Sequence, residues 1–196
     1  MEFNEFCKKF ENGIILLEGK REIDVASQEK LTAIGKRLAE KMPNAIFRSG
    51  NADGSDYYFS LGVAAVNPKQ LQVITPFTNH RKKYNLAETV YALDSIDLVN
   101  EPDIVYHSKS HKGTKNLIDK FVSGIENQYT IKAAYILRDT IKVLGTKGGI
   151  PPISVGLFYE NLEKPMQGGT GHTQNVCLTH NIPIFNQTTY FDWLNA

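Results

Sequence analysis

"AIFRSGNADGSDYYFSLGVAAV" (residues 45–66) is the stretch whose reading decides the fold. Its opening, "AIFRSG" (45–50), is a short apolar run ending in glycine, which reads as a buried strand. Its second half, "SDYYFSLGVAAV" (55–66), puts Phe59, Val63 and Val66 on one helical face. A strand passing through a glycine turn into a helix is half of a βαβ unit, and the flanking sequence supplies the rest. Upstream, "GIILLEGK" (13–20) is another buried strand. "SQEKLTAIGKRLAEKM" (27–42) follows as a helix with Leu31, Ile34, Leu38 and Met42 in register, stopped by Pro43. Ser27 with Lys30 gives this helix only half of a capping signal. Downstream, "LQVITPF" (71–77) is a third strand. The series predicts an α/β chain: a three-layer, doubly wound Rossmann-like fold with a mostly parallel sheet of at least five strands.

The rest of the chain extends this pattern. "LAETVYALDSIDLVNE" (86–101) and "TKNLIDKFVSGIENQY" (114–129) have helical periodicity, with "PDIVYHSKSHKG" between them as a polar surface loop. Together they predict a helical insertion around 86–130 in a single domain spanning 1–196. "IKAAYILRD" (131–139) is expected to be helical and "TIKVLG" (140–145) a fourth strand. "GGIPPISVGLFYENLEKP" (148–165) is expected as an edge strand or hairpin because of its prolines. A helix from the glycines at 168 through His180 leads to "IPIFN" (182–186), a fifth strand in this count, and an aromatic tail.

Composition narrows the function classes. A formal charge of +1 argues against a broad basic face for duplex DNA or anionic membrane. No apolar run reaches the roughly 18 residues of a membrane span, and the start, "MEFNEFCKKFENG", lacks the apolar core of a signal peptide. The two cysteines, Cys7 and Cys177, suggest no disulfide framework. A cytoplasmic location is the expectation.

In a parallel sheet the strand C-termini share one edge, where ligands bind. Three glycine turns are expected there: "EGKRE" (18–22), "RSGNADGSD" (48–56) and "GGTGHT" (168–173). Free N–H groups and the helix dipole at such turns favour an anion, and glycine lets the backbone approach phosphate oxygens. Arg21, Arg48 and Arg138 are placed to add planar charge at the same edge.

These residues resemble the SLOG superfamily, which contains the DNA-processing protein A (Smf) group and the LOG phosphoribohydrolases. "GKR" after the first strand, "SGNADGSDYYFSLGV" (49–63) and "GGTGHT" carry the resemblance in chain order. Arg138-Asp139 is similar to the Arg-Asn pair of the Smf branch, and "NHRKKY" (79–84) to a LOG "HxRK" run. The resemblance implies a nucleotide or nucleotide-derived phosphate ligand. Gly168, Gly169, Thr170, Gly171 and Thr173 would hold phosphate; Gly19, Ser49, Gly50 and Gly54 would complete the cradle, and Arg21 and Arg138 supply charge. The LOG pattern "PGGxGTxxE" is not fully kept: Gln167 stands in place of proline, and Gln174 and Asn175 where the acid belongs. Two alternatives follow, a nucleotide N-glycosidase using other acids and an Smf-like module that binds single-stranded DNA and forms a homo-oligomer. Nucleic acid is the less favoured partner, and neither a cofactor nor a membrane is expected.

Each candidate acid also has a structural reading. Asp53 and Asp56 would touch a ribose or act as acid/base groups, or else cap a helix. His172, inside the glycine turn, would donate to phosphate or serve as an acid, or else pack in the core. Glu18, the best remaining catalytic carboxylate, equally suits an ion pair with Arg21 or Arg48. Cys177 reads as core. His107 and His111, four apart in a loop-like run, lack a third ligand and carry no metal expectation.

Overall fold

A computed structural model describes residues 1–110, 113–125 and 127–195. Six strands form one all-parallel sheet: β1 (Ile14–Gly19), β2 (Ile46–Ser49), β3 (Leu71–Thr75), β4 (Thr89–Ala92), β5 (Val155–Tyr159) and β6 (Ile184–Asn186). Their order is β4-β3-β2-β1-β5-β6, so the chain winds outward from β1 in one direction and then from β5 in the other. This is the Rossmann-like three-layer arrangement.

Side chains alternate between the two helical layers, as the strand period of two requires. Ile15 and Leu17 of β1, with Phe47, Val155 and Leu157, face α1 (Phe3–Phe10), α2 (Val25–Lys41) and α3 (Ser55–Ala64). Phe6, Leu31, Ile34, Tyr190 and Trp193 join that core. Leu16 and Phe158 face the opposite layer, meeting Val143 of α6 (Ile131–Leu144) and Val176 and Cys177 of α7 (Gly168–Thr179). Helix α2 starts where the Asp24 carboxylate accepts the Ser27 N–H and hydroxyl, both at 2.8 Å. It ends before Pro43, as its sequence predicts.

Five segments differ from expectation. Residues 140–144 continue α6 rather than forming a strand, and the helix stops at Gly145 (φ +68°). Leu137 to Val143 are buried because α6 packs against the sheet, against α7 beside it and under α4 (Pro102–Ser108). The polar residues Arg138, Asp139, Thr140 and Lys142 of α6 are buried with the apolar ones, so no solvent-facing stripe marks it as a helix. Residues 155–159 form a central strand beside β1, not an edge, with Pro151 and Pro152 outside the hydrogen-bonded ladder. Residues 86–101 hold the edge strand β4 and two single 3-10 turns in place of a helix. Within the expected loop, residues 102–108 are helical (α4), and α5 (Lys115–Val122) is shorter than the periodic run. Helices α4 and α5 pack on α6 through Ile104, Ile118 and Phe121. Among the described residues no helix is long and apolar enough to cross a membrane.

Candidate functional site

Because β2 lies on one side of β1 and β5 on the other, their connections diverge and leave a cleft above the strand ends. The first glycine turn, the second and the start of α7 meet there, as the sequence predicts. The cleft is about 610 Å³ and is lined by Glu18, Gly19, Arg21, Asp56, Arg138, Asp139, Lys142 and Gly168–Thr170, among others. Across Lys20, Arg21, Gln167, Gly168 and Thr170 it continues into a groove of about 510 Å³ that reaches Glu160, Lys164 and Gln174.

Helix α7 opens directly onto this space. Its N-cap, Gln167, makes no side-chain cap, and Gly171 supplies the first backbone bond back to Gln167. The amides of Gly168, Gly169 and Thr170 therefore belong to the orphan donors of a helix start. Gly168 has φ +62°, and no atom lies within 4 Å of where its side chain would stand. Gly171 differs: a Cβ there would overlap the backbone of Met166, so this glycine closes the turn. Thr173 is fully buried, with its hydroxyl 3.1 Å from Glu18 Oε1 and 3.0 Å from the Gly169 carbonyl. It holds the helix to the floor rather than facing a ligand.

The second turn is already occupied from within. The Asp56 carboxylate, 1% exposed, accepts the amides of Gly50 (3.0 Å), Gly19 (3.3 Å) and Ala52 (3.4 Å) and the Ser49 hydroxyl (3.4 Å). Gly19, Ser49 and Gly50 thus surround a carboxylate of the same chain where the sequence reading put a phosphate. Gly54 (φ +75°) abuts the Arg21 backbone, so its role is steric. Asp53 stands on the exposed rim in a bidentate pair with Arg81, away from the floor.

Below the turns runs a chain of buried charges. Lys142 Nζ, 1% exposed, lies 2.6 Å from Glu18 Oε2 and 2.9 Å from Asp139 Oδ1. Arg138 Nε is 3.1 Å from the same Asp139 oxygen, and its Nη1 donates to the Gly50 carbonyl at 2.9 Å. Burial pushes the Glu18 carboxyl up to about 7, against the pull of Lys142. Burial works the same way on Asp139, but Arg138 and Lys142 outweigh it and hold that carboxyl below its ordinary value. Lys142 is held up because Asp139 and Glu18 outweigh its own desolvation. The partner of Glu18 is therefore Lys142, not Arg21 or Arg48.

Two further placements, of Arg48 and His172, correct the sequence reading, and Arg21 keeps the rim position expected of it. Arg48 is wholly buried and donates to Gln72 Oε1 (2.5 Å), the Lys142 carbonyl (2.9 Å) and the Pro151 carbonyl (2.8 Å). It ties β2 to β3 and α6 and contributes nothing to the cleft. His172 turns inward, its Nε2 3.0 Å from Thr140 Oγ1 on α6. Arg21 stays exposed on the rim, free to meet a ligand. Cys177 is a core residue as expected, its thiol pushed up to about 12 by burial. His111 lies outside the described residues, so its spacing from His107 has no structural counterpart here.

Two functional candidates escaped the sequence reading. The sequence pattern places Lys142 in a strand; on the helix it occupies, it falls three residues after Asp139 and four after Arg138, on one face. Glu160 follows β5 much as Glu18 stands near the end of β1, and its carboxylate accepts from Gln174 (3.1 Å), Asn186 (3.1 Å) and the Met166 amide (3.3 Å). The end of a buried strand was the signal that could have marked it. Comparison with protein-family models, curated proteins and solved structures found no match, so the site rests on its own geometry.

Proposed function

We propose that the chain binds a nucleotide or nucleotide-derived phosphate in the β1/β5 cleft, with phosphate on the first turn of α7. The observation that carries this is the uncapped start of a 12-residue helix at the switch point, beside an open Gly168. Lys20, Arg21 and Lys132 on the rim and Arg138 below supply cations. The ligand-binding positions reduce to Gly168, Gly169 and Thr170, since the second turn encloses Asp56, Gly171 closes its own turn and Thr173 is bonded to the floor. Space of about 610 Å³ lies inside the range of small-molecule sites, roughly 300–1,000 Å³. The half-buried Tyr135 and exposed Ile131 offer an apolar wall for a base, and the carboxylates of the floor offer acceptors for sugar hydroxyls. Two free thiols suit a reducing compartment such as the cytoplasm.

A thermal-shift panel of nucleotides, sugar phosphates and inorganic phosphate tests this. A ligand at 100 times its Kd stabilises by about 2.7 kcal/mol, or roughly 5–11 °C for a chain this size. Arg21→Ala should shrink the shift without changing the unliganded Tm. A panel in which no phosphorylated compound moves the Tm sinks the reading.

One observation favours a second reading, cleavage of the N-glycosidic bond of a bound nucleotide. Glu18, its carboxyl raised to about 7, lines the floor of the cleft and suits proton transfer near neutral pH. Chromatography of nucleoside monophosphates incubated with the chain would then show free base, and Glu18→Gln would abolish its release. Intact nucleotide after long incubation removes this second reading and leaves the first standing.

A further inference from the structure

Sequence spacing pairs His107 with His111, but tertiary structure gives His107 another neighbour. Helices α4 and α7 both pack on α6, and their C-terminal ends converge at the far side of the molecule from the β1/β5 cleft residues. His107 lies in the last turn of α4 and His180 at the C-cap of α7, 73 residues apart in sequence. Their Nε2 atoms are 3.1 Å apart, with ring centroids at 4.4 Å and planes at 69°. They border an open depression of about 680 Å³ that also contains Asp103 and Lys147.

At metal–nitrogen distances of about 2.0–2.1 Å, a 3.1 Å separation of two donors subtends about 100° at a shared ion. That angle lies between square or octahedral and tetrahedral coordination, so either geometry is reached by small ring rotations. Imidazole suits borderline divalent ions, and it must be neutral to bind. Burial and the neighbouring His180 both lower the His107 pKa and favour that neutral form. The C-terminal dipole of α7 favours positive charge here. Asp103, one helical turn before His107, adds a negative group, partly offset by Lys147 at 3.6 Å.

We propose that His107 and His180 form a two-imidazole site for a borderline divalent transition-metal ion, which clasps α4 to the end of α7. Among the described residues no set of three or more His, Cys, Asp or Glu side chains is arranged around an ion. Water therefore fills the remaining positions, which the open depression allows. Binding releases no proton when both rings are neutral: the shared N–H moves to Nδ1 of the same ring, and both Nε2 lone pairs turn to the metal. This site is independent of the proposed nucleotide cleft.

The test is isothermal titration of the full chain, stripped with chelator, using Cu²⁺, Ni²⁺, Zn²⁺ and Mg²⁺ in separate runs. One equivalent should bind with Cu²⁺ tightest and Mg²⁺ absent, following ligand softness and the divalent-ion order. His107→Gln and His180→Gln should each weaken Ni²⁺ binding at least tenfold. Unchanged affinity in His180→Gln would put the ion elsewhere and overturn the proposal, as would failure of any transition ion to saturate. If a variant misfolds, paramagnetic broadening in the unmodified chain decides. Ni²⁺ should selectively erase the His107 and His180 ring resonances while sparing His80 and His172, and loss of the latter pair first refutes the site.

Discussion

Replacing Lys142 by methionine tests whether the buried charges act as one unit. The ammonium is 1% exposed and lies 2.6 Å from Glu18 and 2.9 Å from Asp139. Methionine keeps most of the length and removes the charge, so two buried carboxyls lose their common counter-ion. Breaking a buried pair from one side costs about 3–5 kcal/mol. Each kcal/mol moves the Tm of a domain this size by about 2–4 °C, so the expected loss at pH 8 is roughly 6–20 °C. The loss depends on pH with a definite sign. Burial already raises Glu18 from its ordinary 4.5 to about 7, and Lys142 is the main opposing influence. Removing Lys142 raises that carboxyl further. A carboxyl raised on folding contributes stability that is present at low pH and lost as pH climbs through the folded value. The variant should therefore lie closest to the parent near pH 5, where Glu18 holds its proton, and farthest at pH 8. Urea unfolding followed by Trp193 fluorescence at both pH values measures the difference. A deficit under about 1 kcal/mol at pH 8, or an equal deficit at both, would refute the linkage among these charges.

Arg48→Met should cost about 3 kcal/mol or more, because it strands Gln72 Oε1 and the buried Lys142 carbonyl without donors and releases the part-buried Pro151 carbonyl. Arg48→Lys should recover little of this, since one ammonium cannot span three divergent acceptors; full recovery in urea melts would show that charge alone matters there. Asp56→Asn should lose about 1–3 kcal/mol at neutral pH, as the amide turns an N–H group toward donors of the second turn. A midpoint equal to that of the parent in urea would contradict the enclosed-carboxylate arrangement.

Local pattern carried most of the architecture. Short apolar runs ending in glycine located β1, β2 and β3, and 3.6-residue spacing located α2 and α3, because each element shows water one face or none. The elements misread differ in their physical causes. Helix α6 is covered by the sheet, by α7 beside it and by α4 and α5, so no face of it marks a helical stripe against water. The prolines flanking β5 suggest an edge, yet Pro151 and Pro152 lie before the ladder starts. Strand β4 was hidden because its Thr89 and Val90 are exposed, which removes the apolar alternation of a half-buried strand.

At the site, the residue types were legible and their partners were not. The sequence alone determined that three glycine turns face one sheet edge, since parallel strands feeding helices leave no other place for them. It also determined which turn opens a helix with small residues. Only the tertiary structure decided that Asp56 fills the second turn, that Arg48 belongs to the core, and that Glu18 answers to Lys142, 124 residues away. Backbone geometry is set by neighbours in sequence, whereas a buried charge takes whichever counter-charge the packed layers bring within about 3 Å, and that choice is made by the fold as a whole.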